Sequence, residues 1–122
     1  MNEEMITPEI EILNYFNQIT GHRHGQTKDN LSGIKRVLKE GFSQEDIVEV
    51  IQVKTLDWKN NPEMSKHLNP VTIFRRSNFD KYINQVIDIK NNPTLYKKHY
   101  EQLNKVHKPT DNLSDIAAMY GD

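Results

Sequence analysis

Two adjacent guanidiniums, Arg75-Arg76, stand just ahead of a run with helical spacing, where a pair of planar forks can bracket a phosphate or a carboxylate. A salt bridge within the domain, to Asp80 for example, uses the same chemistry. Upstream, Lys54 and Trp58 are four residues apart and Lys59 follows directly, so on a helix the first two share a face and form a basic-aromatic strip. The alternative place for Trp58, the single tryptophan, is the core. These residues belong to a stretch, Lys54 to Lys108, with eleven Lys or Arg against five Asp or Glu, interleaved with Phe74, Phe79, Tyr82, Tyr96 and Tyr100. Cations neutralise phosphates, and exposed rings stack on unpaired bases for about 1–3 kcal/mol each. Lys54, Trp58, Lys59, Arg75, Arg76 and Lys81 are therefore the candidate nucleic-acid contacts. An amphipathic bundle with Lys-rich solvent faces produces the same pattern without any ligand.

Other chemistries find less support. His22-Arg23-His24 offers two imidazoles, but no Asp, Glu or His cluster nearby in sequence supplies a third and fourth ligand, so no metal site is expected. There is no Gly-rich phosphate loop, nucleophile elbow or helical His-Glu-x-x-His. The carboxylates fall at solvent positions or in helix first turns, where the macrodipole accounts for them. No catalytic residue and no cofactor is expected, and the reading is a protein that is not an enzyme. The absence of cysteine excludes a disulfide, a thiolate zinc site and a cysteine nucleophile, and fits a reducing compartment.

Composition bounds what can hold these residues in place. A chain of 122 residues makes one domain, and 35% hydrophobic against 27% charged residues leaves a thin core under a large polar surface. Sixteen Lys and Arg against seventeen Asp and Glu give a net charge of −1, so only a local patch can attract a polyanion. Charge is indeed uneven: the first twenty residues hold four Glu and no Lys or Arg, whereas residues 90–108 hold five Lys, two His and one Glu. No apolar run approaches the ~20 residues of a membrane span, and the acidic N-terminus is unlike a secretory signal. A cytoplasmic protein with no membrane association is expected.

The elements read as all-α: a bundle of about five helices over residues 1–108, followed by an acidic C-terminal helix or tail over 109–122. Thr7-Pro8 starts a helix over about 8–20 with Ile12, Leu13, Phe16 and Ile19 on one face, ended by Gly21. Thr27 caps a second, with Leu31, Ile34 and Leu38 inward and Gly41 as the stop. Ser43-Gln44-Glu45-Asp46 opens a third, with Ile47, Val50, Ile51 and Trp58 along one side. Asn60-Asn61-Pro62 and Asn69-Pro70 break the chain into a compact linker. Phe79, Ile83, Val86 and Ile87 mark a fourth helix, and Leu95, Tyr96, Tyr100, Leu103 and Val106 a fifth. In the last segment Leu113, Ile116 and Tyr120 have helical spacing. They either cap the domain's own core or fill the groove of a partner, and are the candidate partner-binding residues.

From Ile12 to Gln85 the chain resembles a conserved phage domain usually found at the C-terminal end of phage replication proteins of the replisome-organiser, DnaD-like type. The residues that carry the resemblance are Ile12 to Asn17 with Thr20-Gly21, Leu38 to Phe42 with Glu45-Asp46, Val50-Ile51, Lys54, Trp58, Met64, Leu68, Pro70, Thr72 to Phe74, Phe79 and Tyr82 to Gln85. The resemblance implies a role at replication initiation, where such proteins bind origin DNA and bring in the helicase or its loader, and it implies homo-oligomers. Related DnaD-like domains use a helical Tyr, Ile and Trp spaced at four for single-stranded DNA; the matching positions here are Val50, Lys54 and Trp58. Family members carry an N-terminal winged-helix region, whereas the resemblance here starts at Ile12, so the module is expected to stand alone. Two functions follow: a replication module that binds mainly single-stranded DNA and contacts helicase-loading proteins, or a phage adaptor or inhibitor that grips a host replication, repressor or defence protein without nucleic acid.

Overall fold

Four of the helices begin at a residue whose side chain takes up an orphan backbone N–H. In the computed structural model, which describes residues 6–105, Thr7 accepts from the Ile10 amide at the start of α1 (Pro8–Thr20), and Thr27 accepts from Asn30 at the start of α2 (Lys28–Lys39). At α3 (Gln44–Trp58) the Ser43 hydroxyl and the Asp46 carboxylate each accept the other residue's amide at 3.0 Å, a reciprocal capping box. Asn69 caps α4 (Pro70–Ile73) by accepting from the Thr72 amide. The last two helices are α5 (Arg76–Asn91) and α6 (Lys97–Lys105). Gly21 ends α1 at φ 80°, and Gly41 turns the chain after α2 at φ 105°, both in the region that favours glycine. The described residues contain helices and turns and no strand.

These elements arrange themselves around α3, which packs against α1, α5 and α6, while α2 packs between α1 and α4. Every residue from Ile47 to Thr55 is buried. This corrects the expectation that α3 carries one apolar side: Val48 and Val53 extend the apolar surface around the helix, and Glu49, Gln52, Lys54 and Thr55 are buried with them. Full enclosure of a polar-containing helix demands internal partners. Gln52 Nε2 donates to the Tyr15 hydroxyl at 2.8 Å, joining α3 to α1, and burial pushes the Tyr15 phenol up to about 12 against that hydrogen bond. Lys90, at the end of α5, reaches the Glu49 carboxylate at 2.7 Å.

Three other expectations need correction. The linker is not merely a compact break: Ser65–His67 form one 3-10 turn and Pro70–Ile73 a sixth helix, because Asn69-Pro70 supplies both a cap and a first-turn proline. In α5 the inward set is Phe79, Ile83, Val86 and Ile89, and Ile87 is 46% exposed, since positions three and four apart drift past Ile87 to Ile89. The final described helix begins at Lys97, leaving Leu95 74% exposed in the preceding turn, with Leu103 buried and Tyr96 and Tyr100 packed against the core. On α2, Ile34 and Val37 take the most buried places, with Leu31 and Leu38 flanking them. Val106 and the segment with Leu113, Ile116 and Tyr120 lie outside the described residues. No described helix is long and apolar enough to cross a membrane.

Candidate nucleic-acid interface

The six candidate contacts fall into two groups. Lys54, Trp58 and Lys59 end α3, whereas Arg75, Arg76 and Lys81 begin α5. The first group is turned largely inward. The Lys54 side chain is only 8% exposed, and its ammonium lies 3.2 Å from Asp57 Oδ2 and 3.2 Å from Gln85 Oε1. It also sits over two rings, 4.3 Å from the centre of Trp58 and 4.5 Å from that of Tyr82. Asp57 in turn accepts from Gln85 Nε2 at 3.0 Å and stands 2.6 Å from His99 Nε2. One carboxylate thus holds together side chains from α3, α5 and α6. Burial pushes the Asp57 carboxyl up, but the hydrogen bonds from His99, Gln85 and Lys54 and the Lys54 charge outweigh it, so its pKa is lowered.

Trp58 is half-buried, edge-on to Tyr82 at 5.7 Å and to His67 at 6.2 Å between ring centres. Its position answers the choice left open by the sequence: it packs against the core while one face holds the Lys54 ammonium. Lys59 is exposed and reaches back to the Ile19 carbonyl at 3.5 Å.

The second group faces solvent. Arg75 occupies the N-cap position of α5 without a side-chain hydrogen bond to the helix, and the first turn carries no acid, so the amides at this end are not capped by a side chain. Arg76 is 73% exposed and forms an ion pair with Glu40 at 3.2 Å rather than the Asp80 pair named as the alternative. Lys81 is exposed farther along the same helix. Beside Arg75 lies a cleft of about 200 Å³ lined by Asp29, Ser32, Gly33, Arg36, Val71 and Phe74. Its floor is set by a close crossing: a methyl group built on Gly33 meets the Phe74 Cβ at 2.7 Å, so α2 and α4 approach closely only because position 33 lacks a side chain. The Arg36 guanidinium donates to the Phe74 carbonyl, satisfying the end of the four-residue α4.

Tyr82 packs against the first group and feels the charge of the second. Burial raises its phenol pKa and the nearby Arg75 charge lowers it, while its ring contacts both Lys54 and Trp58. Sequence reasoning placed Tyr82 among the interleaved aromatics and passed over its packing against Lys54 and Trp58. Asp57, Gln85 and His99 were not singled out as a set at all. The only local signal was the three-residue spacing of Lys54 and Asp57 on one helix face; Gln85 and His99 are 28 and 42 residues away from Asp57.

The arrangement at the α4–α5 corner suits an anion. Three guanidiniums, Arg36, Arg75 and Arg76, lie near one another along the Phe74 turn, with Glu40 and Asp29 as the carboxylates at its margin. The Arg76–Glu40 pair is solvent-exposed, and such pairs contribute only about 0–1 kcal/mol, so exchange of Glu40 for a phosphate costs little.

Neither a curated protein nor a solved structure matches this chain. A family model described as a conserved phage C-terminus matches residues 12–84. That span begins with the first core residue of α1 and ends within α5, enclosing all six candidate contacts together with Asp57 and Tyr82, while His99 lies beyond it. With the match covering more than half of its length, the chain belongs to the conserved phage C-terminus family.

Proposed function

We propose that the domain is a non-enzymatic phage replication module of the replisome-organiser type that binds nucleic acid, mainly single-stranded DNA, and contacts helicase-loading proteins. The observation that carries this reading is the exposed Arg75-Arg76 pair at the uncapped start of α5. Two guanidiniums and free helix amides supply complementary chemistry for backbone phosphates. The strip from Arg75 through Tyr82 to Trp58 adds aromatic edges beside that charge. Lys54 supports the strip from within, holding Trp58 and Tyr82 together rather than touching a phosphate itself.

Fluorescence anisotropy of a labelled single-stranded oligonucleotide at two salt concentrations tests the proposal. Contacts to about three to five phosphates give a log–log salt slope of roughly −2 to −4, and joint Arg75→Ala and Arg76→Ala substitution flattens it. No binding at about 50 mM salt with ~100 μM protein overturns the reading. Light scattering on the same samples measures the expected homo-oligomer.

The second reading, an adaptor or inhibitor of a host protein, is favoured by apolar side chains left uncovered: Val71 beside the Arg75 cleft, Ile87 on the open side of α5, and Leu95. It requires a stoichiometric partner recovered from host lysate that resists nuclease treatment and is lost on Ile87→Asp.

A further inference from the structure

Outside the arginine corner, the α1–α2 loop brings His22 Nδ1 and His24 Nε2 face to face at 3.3 Å, with the ring planes 76° apart. Around an ion bonded to imidazole nitrogen at about 2.0–2.1 Å, the edge of a coordination tetrahedron is about 3.3–3.4 Å long. The two nitrogens are therefore spaced as one such edge. We propose that His22 and His24 bind a divalent transition-metal ion of the Zn²⁺, Ni²⁺ or Cu²⁺ class, with two imidazole ligands from the protein and water in the remaining positions.

The loop is built to hold this geometry. The Asn17 side chain pairs with both backbone groups of His24, donating to its carbonyl at 2.9 Å and accepting from its amide at 2.8 Å. Thr20 accepts from the His22 amide at 3.2 Å and itself donates to the Phe16 carbonyl. The His24 ring packs edge-on to Phe16, with the Leu68 backbone carbonyl placed to accept from its other N–H. A second hydrogen bond of this kind is the usual means by which a ligating imidazole is held in one tautomer and orientation.

In the absence of an ion the same contact is an N–H···N hydrogen bond, one facing nitrogen carrying the proton. Each neutral imidazole has a second nitrogen able to take that proton, so coordination needs a tautomer shift and no net proton release. Imidazole donors without thiolate or carboxylate suit zinc, copper and nickel rather than calcium or magnesium. No group of three or more His, Cys, Asp or Glu positioned for a metal occurs among the described residues, and Arg23 between the two ligands adds positive charge. Binding is accordingly modest in affinity and exchangeable, and it does not depend on the nucleic-acid reading.

The untagged 122-residue chain, isotopically labelled at histidine, is titrated with Zn²⁺ alone at neutral pH while the imidazole resonances are followed by NMR. The His22 and His24 signals are expected to move together with one equivalent per chain, ahead of those of His67, His99 and His107. His22→Gln and His24→Ala should each weaken binding at least about tenfold, with helical content unchanged by circular dichroism. Single variants that bind as the wild type does overturn the proposal, as does an absence of shifts at His22 and His24 up to about a tenfold excess of Zn²⁺.

Discussion

Lys54 and Arg75 both act on Tyr82, yet the fold puts their charges to opposite uses. At the seam of α3, α5 and α6, the Lys54 ammonium is enclosed by Asp57, Gln85 and two aromatic rings, and its charge is consumed in holding three helices together. At the corner of α2, α4 and α5, Arg75 and Arg76 stand at a helix start with an exposed acid as the counter-charge. A cation in a basic-aromatic stretch is thus assigned by what surrounds it in space. The stretch as a whole has no single role.

The strongest way to break this contrast is to remove the carboxylate at the seam. Asp57→Ala leaves a nearly buried ammonium without its counter-charge and should lower unfolding free energy by about 3 kcal/mol, read from urea denaturation. Lys54→Met, which replaces the cation with an apolar chain between two rings, should cost less than Asp57→Ala. Equal losses from the two would contradict the view that the uncompensated charge, rather than packing, dominates there.

At the corner, the counterpart is Gly33→Ala. Its new methyl group meets the Phe74 Cβ, so α2 and α4 must part, at a cost of about 1–2 kcal/mol after the better helix propensity of alanine is counted. Oligonucleotide binding should fall with it, because Phe74 precedes Arg75. A variant as stable as the wild type would show that the crossing yields without strain.

Acid sharpens the comparison more gently. Since the folded-state pKa of Asp57 is lowered, the unfolded chain binds its proton first as the pH falls. The stability Asp57 contributes is present above its ordinary carboxylate pKa and is lost as pH drops through the folded value. Asp57→Asn should remove this part of the decline when denaturation midpoints are compared between about pH 5 and pH 2. The smallest effect belongs to the corner: joint Arg75→Ala and Arg76→Ala should alter unfolding free energy by no more than about 0.5 kcal/mol while changing the salt dependence of DNA binding.

What the sequence made legible divides along the range of the interactions. Thr7, Thr27 and Ser43 cap the next few residues, and Gly21 and Gly41 act at their own positions, so the first three helices could be read with nearly correct ends. A four-residue helix such as α4 has no period to detect, although its cap and proline were in view. The enclosure of α3 was hidden because burial on all sides removes the amphipathic contrast that marks a helix face. For the site, Arg75 and Arg76 were visible as a local pair. The fate of Lys54 was not, since it depends on Gln85, 31 residues away, and through Asp57 on His99. The family resemblance to a phage domain was legible from blocks spread over α1 to α5, and the match over residues 12–84 bears it out.

The central position of α3 also governs how the molecule breathes. Its amides from Ile47 to Thr55 are screened on every side by other helices, so local opening cannot expose them without detaching a neighbour. Their exchange with deuterated solvent should be the slowest in the protein and should report global unfolding. The start of α5, with no side-chain cap, should exchange by fraying alone. A binding partner can therefore reshape the outer helices within the stability of the domain, whereas any event that reaches α3 takes the whole fold with it.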